Sequence, residues 1–325
     1  MSAQRPVVDG KFIRIGNERF WVRGVTYGAF EPNSRGELFP ELTFVDRDFC
    51  QMRLANINSI LTYTAPSLPM LDLAHRHGLR VIVNMPWFDI DGRLEKRTTR
   101  TAIANLVRDK VRSCAAHPAV LLYCVGKELD PDLIRWYGPK KVQRLLHDLY
   151  CIAKDEDPEG LVSFTSFPTT EYLELDFVDV CTYNLYLHQR ESFCAYLSRL
   201  QHIAGDVPLL LTEIGMCSFR HGEKAQAELI GWQLDETSDH GLAGAVVFGW
   251  TDSFYGDGEM VHDWGFGIVD DERVPKASFE VVKSKFDRCP PYSNYRRLPT
   301  VTVIRSSWDA GLRGCLQRAR EGADK

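Results

Sequence analysis

Two glutamates, Glu128 and Glu213, are the residues best suited by type and position to carry chemistry. Each closes a short apolar run, AVLLYCVGKE from Ala119 and VPLLLTEIG from Val207. Runs this apolar, separated by helix-like segments, have the pattern of buried parallel strands. A carboxylate at the end of such a strand stands on the rim of the sheet, where α/β folds build their sites. Two carboxylates on strands separated by two intervening units suit cleavage of a glycosidic bond. One protonates the leaving oxygen while the other attacks the sugar carbon. The plainer alternative for each is a helix N-cap or a rim charge.

The elements that must position this pair can be read along the chain. KFIRIGNERF has the pattern of a hairpin turning at Gly16-Asn17. Eight strand-like runs follow: WVRGVTY, INSILTY, LRVIVNMPW, AVLLYCVGKE, LVSFTS, FVDVCTYNLY, VPLLLTEIG and GAVVFGW. The connectors carry helical periodicity. Ile103, Leu106, Val107, Val111 and Cys114 form one stripe, Val142, Leu145, Leu146, Leu149 and Ile152 a second, and Phe193, Tyr196, Leu197, Leu200 and Ile203 a third. Gly78 has the place of a left-handed C-cap. Eight strands with a crossover helix after each predict an α/β chain folded as a (β/α)8 TIM barrel with an N-terminal β-hairpin. A doubly wound sheet fits less well, because no glycine-rich phosphate turn follows the first strand. The barrel domain is expected over 1–286. Residues 287–325 read as a short C-terminal tail: a proline- and arginine-rich linker, then one truncated β-α unit.

Composition narrows the function. The chain has 325 residues, 44% hydrophobic and 26% charged, enough for a full core. A formal net charge of −5 argues against a nucleic-acid footprint. No run approaches the ~18 apolar residues that span a bilayer, and the N-terminus has no basic-then-apolar leader pattern. Nine cysteines lie scattered without CxxC spacing. They read as reduced thiols of a cytoplasmic protein, not as a disulfide framework or a zinc site. No metal or cofactor is expected.

The strand ends together resemble the retaining β-glycosidases of glycoside hydrolase clan A, closest to the barrels of families 2 and 5. The resemblance runs from Gly10 to about Phe286. GKFIRIGNERFWVRGVTYG is similar to the clan's opening hairpin and first strand. AVLLYCVGKE is similar to its fourth-strand motif, which makes Glu128 the acid/base, and LLLTEIG to its seventh, which makes Glu213 the nucleophile. VDVCTYNLY resembles the sixth strand, implying that Asn184 and Tyr186 line the pocket, with Tyr186 orienting Glu213. VVFGWTD resembles the eighth, implying Trp250 as the floor of the sugar site, followed by polar Asp252. The tail segment LPTVTVIRSSWDAGLRGCLQRA resembles the start of a family 2 glycosyltransferase, which implies a glycosyltransferase partner.

Two departures bear on activity. Lys127 stands where the clan has Asn before the acid/base, and Leu61 where the second strand usually carries Arg. Either Lys127 supplies the charge that Leu61 lacks, or the site has lost chemistry. A cation beside Glu128 favours its ionised form, whereas a general acid must hold its proton. The expected function is therefore a retaining hydrolase or transglycosylase of a β-linked oligosaccharide or polysaccharide. The alternative is a weakened carbohydrate-binding or scaffold barrel. Trp87 is a stacking platform or a rim packing residue, and Tyr63 a further rim candidate. His262, Asp263 and Trp264 lie in a loop that either shapes the mouth or is an ordinary surface loop. His75 and His77, two apart before a helix end, face different sides and read as surface residues.

Overall fold

In the computed structural model, residues 4–85, 87, 94–256 and 258–288 are described. The chain divides into two units, Met1–Cys289 and Pro290–Lys325, and the described residues all belong to the first. The β-α pattern read in the tail lies outside them.

Eight strands close a parallel barrel: β1 (Val22–Thr26), β2 (Ser59–Thr62), β3 (Arg80–Asn84), β4 (Val120–Lys127), β5 (Val162–Ser166), β6 (Cys181–Asn184), β7 (Leu209–Ile214) and β8 (Gly244–Val247). Each pairs with its sequence neighbours, and β8 pairs with β1 to close the ring. Every run expected as a strand forms one. All are buried on both faces, which is why they read as nearly continuous apolar stretches.

The helices are α1 (Leu42–Leu54), α2 (Leu68–Arg76), α3 (Arg97–Cys114), α4 (Pro131–Tyr137), α5 (Pro139–Glu156), α6 (Arg190–Ala204), α7 (Ser218–His221), α8 (Glu223–Asp239) and α9 (Ala277–Arg288). Their buried residues follow the expected stripes: Ile103, Val107, Val111 and Cys114 on α3, and Val142, Leu145, Leu146 and Leu149 on α5. Gly78 takes φ 67°, the left-handed conformation expected after α2. One expectation fails. No α-helix follows β5; the link to β6 holds only a 3-10 turn, Pro168–Thr170. That link packs Leu173 and Val178 inward in the helix's place and leaves a concavity of about 650 Å³ against β5 and β6.

The hairpin forms as expected, Phe12–Ile15 against Glu18–Phe20, and Pro6–Asp9 adds a third strand that the sequence reading missed. Its Ile13 is fully buried in the core cluster with Val22, Leu161, Val180 and Ala243, residues at the starts of barrel strands. The hairpin thus plugs the end of the barrel opposite the strand C-termini. Arg5 ties this sheet down by an ion pair with Asp157, which also accepts from the Tyr123 hydroxyl at 2.8 Å.

Candidate active site

Glu128 and Glu213 stand at the C-terminal ends of β4 and β7, and both strands slip register just before delivering them. The β4–β5 pairing shifts between Cys124 and Lys127, and the β7–β6 pairing between Leu211 and Glu213. Such irregularities re-aim side chains beside active sites. Glu128 itself takes φ 44°, a conformation uncommon for a residue with a Cβ. Its backbone N–H is fixed there by Thr165 O at 2.8 Å. In an unbroken strand the adjacent Lys127 and Glu128 would point to opposite faces. Here both reach one cavity.

The Lys127 ammonium is the hub. Its Nζ donates to Glu213 Oε1 at 3.0 Å, lies 3.5 Å from Glu128 Oε2, and sits 4.6 Å from the centroid of the Tyr63 ring. The sum of those two contacts is a ceiling on the separation of the two carboxylate oxygens. It lies at the bottom edge of the range of about 6.5–9.5 Å used by inverting carboxylate pairs. Glu213 is clasped further: Tyr63 OH donates to Oε1 at 2.8 Å and Tyr186 OH to Oε2 at 2.9 Å. Burial, reinforced by the Glu213 charge, holds both phenols well above the ordinary tyrosine range, so both remain O–H donors.

Burial alone would lower the Lys127 pKa, but the charges of Glu213 and Glu128 outweigh it and raise the net value. Burial, with the Glu213 charge, pushes Glu128 above the usual carboxylate range against the downward pull of Lys127. A raised Glu128 is suited to holding a proton, whereas Glu213 accepts from three donors on its two oxygens.

Asn184 is 1% exposed at the end of β6, paired in register with Glu213. Its Oδ1 accepts from Thr212 Oγ1 at 2.8 Å. Its Nδ2 has no partner within hydrogen-bonding distance, although the amide also pulls the Glu128 pKa down. The amide therefore stands beside the Glu128 carboxyl.

Three sequence candidates are held by the barrel's own packing. Trp250 is 1% exposed and packs against Phe279 of α9. The strand ends at Val247, so the alternation that would have set Trp250 on the mouth stops before it. Phe248 takes that position, its ring 6.3 Å from Tyr186. Asp252 is spent in an ion pair with Lys276 Nζ at 2.9 Å and accepts from Gly267 N at 2.7 Å. Trp87 is buried, and its indole N–H donates to Val125 O at 2.9 Å, a packing role against β4. Leu61 lies in the apolar barrel core with Tyr63, and Tyr63 is the β2-side residue that reaches Glu213.

An aromatic wall completes the mouth. Phe254 lies 5.6 Å from Tyr63 and 6.0 Å from Phe248, Trp264 lies 5.0 Å from Phe254, and Phe266 lies 6.1 Å from Tyr186. His262 and Asp263 are exposed beyond it. Of this wall only Trp264 stood out in the sequence; Phe248, Phe254 and Phe266 look there like ordinary apolar residues. Among the described residues no helix is long and apolar enough to cross a membrane.

The sequence profile described as "Glycosyl hydrolases family 2, TIM barrel domain" matches residues 7–222. No curated protein matches the chain. Among solved structures, the β-glucuronidase of Bifidobacterium dentium is similar with a TM-score of 0.74 at 19% identity, over 89% of this chain and 49% of that one. The Ruminococcus gnavus β-glucuronidase is similar at 0.74 and 16% identity, over 87% and 53%. A family 2 β-galacturonidase from Eisenbergiella tayi is similar at 0.73 and 18%, over 89% and 55%. The chain therefore spans about half the length of these proteins, and at such identities the likeness establishes a shared fold.

Proposed function

The chain belongs to the glycosyl hydrolases of family 2, and from that premise we propose that it is a β-glycoside hydrolase or transglycosylase working by a retaining, two-glutamate route. Glu213 attacks the anomeric carbon and forms a glycosyl-enzyme. Glu128 first gives its proton to the leaving oxygen, then takes one from the incoming water or sugar hydroxyl. Tyr186 and Tyr63 orient Glu213 through its two oxygens. Asn184 Nδ2 offers a donor to the sugar, and the wall of Phe248, Phe254 and Trp264 offers it an apolar face. The observation that carries this reading is the single ammonium in contact with both carboxylates, which draws an oxygen of each toward a shared point between β4 and β7 and favours the shorter, retaining spacing.

The uronic-acid glycosidases among the structural neighbours make β-glucuronides and β-galacturonides the first substrates to try. A panel of aryl β-glycosides including both tests the proposal. Aglycone release that vanishes in Glu213→Gln, with first-formed product of retained configuration by NMR, is the expected result. Release with inverted configuration overturns the mechanism.

One observation favours a second reading, a barrel that binds sugar without turning it over. Lys127 pulls Glu128 toward its ionised form, which is the wrong state for a general acid. Sugar binding with no release from any member of the panel would select it. The glycosyltransferase partner implied by the tail stays part of this proposal, since that segment lies outside the described residues.

A further inference from the structure

Behind the barrel wall, away from the mouth, three metal-ligating side chains converge. Glu236 and His240 lie one turn apart at the end of α8 and share a face. Cys194, in the first turns of α6, points at them from the neighbouring helix. One ligand atom from each of the three lies within 4.8 Å of the others. We propose that Cys194, Glu236 and His240 bind a zinc-class divalent ion that clamps α6 to α8.

The donor set selects the metal. A thiolate, an imidazole and a carboxylate suit Zn²⁺, whereas Mg²⁺ and Ca²⁺ favour oxygen ligands alone. One ligand atom of each within 4.8 Å of the others is a spacing from which bonds of about 2.0–2.3 Å to a common zinc ion require a further closing of the three side chains.

The carboxylate is already aimed. Arg190 donates from Nε to Glu236 Oε1 at 2.7 Å, and its Nη2 lies 2.6 Å from the same oxygen in an ion pair. Oε2 is thereby turned toward His240, whose Nδ1 lies 3.5 Å away. A partner that fixes one oxygen and orients the other is a recurring support of metal ligands. His240 Nδ1 also lies 2.9 Å from the Glu236 carbonyl. In that contact Nδ1 donates to the carbonyl, so coordination through Nδ1 breaks this bond and moves the ring proton to Nε2 through solvent, whereas coordination through Nε2 keeps it.

Burial and the neighbouring Glu236 push the Cys194 thiol up to about 11, so it carries a proton near neutrality. Metal entry forms the metal–sulfur bond, breaks S–H and releases that proton to solvent. The thiolate and Glu236 then balance the divalent ion, and Arg190 leaves the cluster with a net positive charge.

The position gives the site its consequence. α6 follows β6, which carries Asn184, and α8 follows β7, which carries Glu213. A metal there joins these two βα units from the outside. It does not depend on the proposed reaction.

The test is a Co²⁺ and Zn²⁺ titration of the full, chelator-stripped chain. One equivalent of Co²⁺ should give a thiolate-to-cobalt charge-transfer absorption, Zn²⁺ should displace it, and Zn²⁺ should raise Tm by mass action. Cys194→Ser should abolish the absorption, and His240→Ala should weaken Zn²⁺ binding by more than the roughly 10–100-fold lost with an outer-shell partner. Cys151 lies 3.8 Å from His147 and is the competing thiol–imidazole pair; Cys151→Ser should change nothing. Near-UV circular dichroism of each stripped variant reports whether it is folded, and Cys194→Ala serves if Cys194→Ser is not. Absence of the charge-transfer absorption in the wild type, or its survival in folded Cys194 variants, overturns the proposal.

Discussion

Lys276 and Lys127 both lie against carboxylates at the strand ends of this barrel, and they are held in different ways. Lys276 is saturated: its Nζ contacts both oxygens of Asp252 at 2.9 and 3.2 Å, Ser218 Oγ at 2.8 Å and Gly265 O at 3.3 Å. Both members of that pair are almost sealed from water. Lys127 instead is shared between two carboxylates and a ring face, with its side chain 18% exposed and Glu128 29%. The saturated cation has no capacity left, and its use is architectural. It pins residues 252 to 276, which carry Phe254, Trp264 and Phe266, onto the end of β8. The shared cation keeps hydrogen-bonding capacity and changes its neighbours' proton affinities, which is what a reacting site requires.

The largest effect expected from breaking either region is Glu213→Gln. It should lower turnover of the best aryl glycoside by several orders of magnitude while leaving the Tm near that of wild type. Measurable residual turnover at wild-type rate would remove Glu213 from the mechanism.

Next is Lys276→Met, which strands Asp252 as a buried charge. Breaking such a pair costs about 3–5 kcal/mol, read as a fall in urea midpoint at unchanged slope. Lys127→Met should cost clearly less, because Glu128 is open to water and Tyr63 and Tyr186 still hold Glu213. Equal losses from the two lysines would dissolve the distinction between them.

Lys127→Asn addresses activity in place of stability. If the ammonium supports Glu213, kcat/KM should fall by about 10²-fold, the scale for one positioned electrostatic partner. A rise would mean that the cation impairs the site.

The smallest effect is on pH dependence. Burial and Glu213 raise the Glu128 pKa, and Lys127 lowers it. In the proposed reaction the protonated acid is the active form, so its loss would set the alkaline limb of the rate profile. Removing Lys127 removes the downward pull, and the limb in Lys127→Asn should move to higher pH. A shift to lower pH would assign that limb to another group.

Much of this was legible in the chain. Strand order, hairpin and carboxylate pair follow from short apolar runs whose ends carry charge, a pattern that burial on both faces imposes directly. What stayed hidden depends on where a strand stops. Trp250 and Phe248 share parity in sequence, but β8 ends at Val247, so parity no longer decides direction. Asp252 resembles a pocket residue until Lys276, far along the chain, is brought to it. The missing helix after β5 was hidden for a related reason: Leu173 and Val178 bury without helical spacing, guided by the wall they cover. The convergence of Cys194 with Glu236 and His240 comes from the packing of two helices, and the one-turn spacing of Glu236 and His240 alone does not reveal it.

The closing seam of the barrel sets a clock on the chain's own maturation. Val22 pairs with Gly244, the first barrel strand with the last. A side chain at Gly244 would strike the Val22 backbone, and its φ of 138° suits glycine alone. At about 5–20 residues per second, a nascent chain waits on the order of tens of seconds between making one half of this seam and the other. Throughout that interval the Val22–Thr26 strand offers an unpaired edge, a template for the wrong partner. Its safe passage depends on how soon the segment around Gly244 arrives.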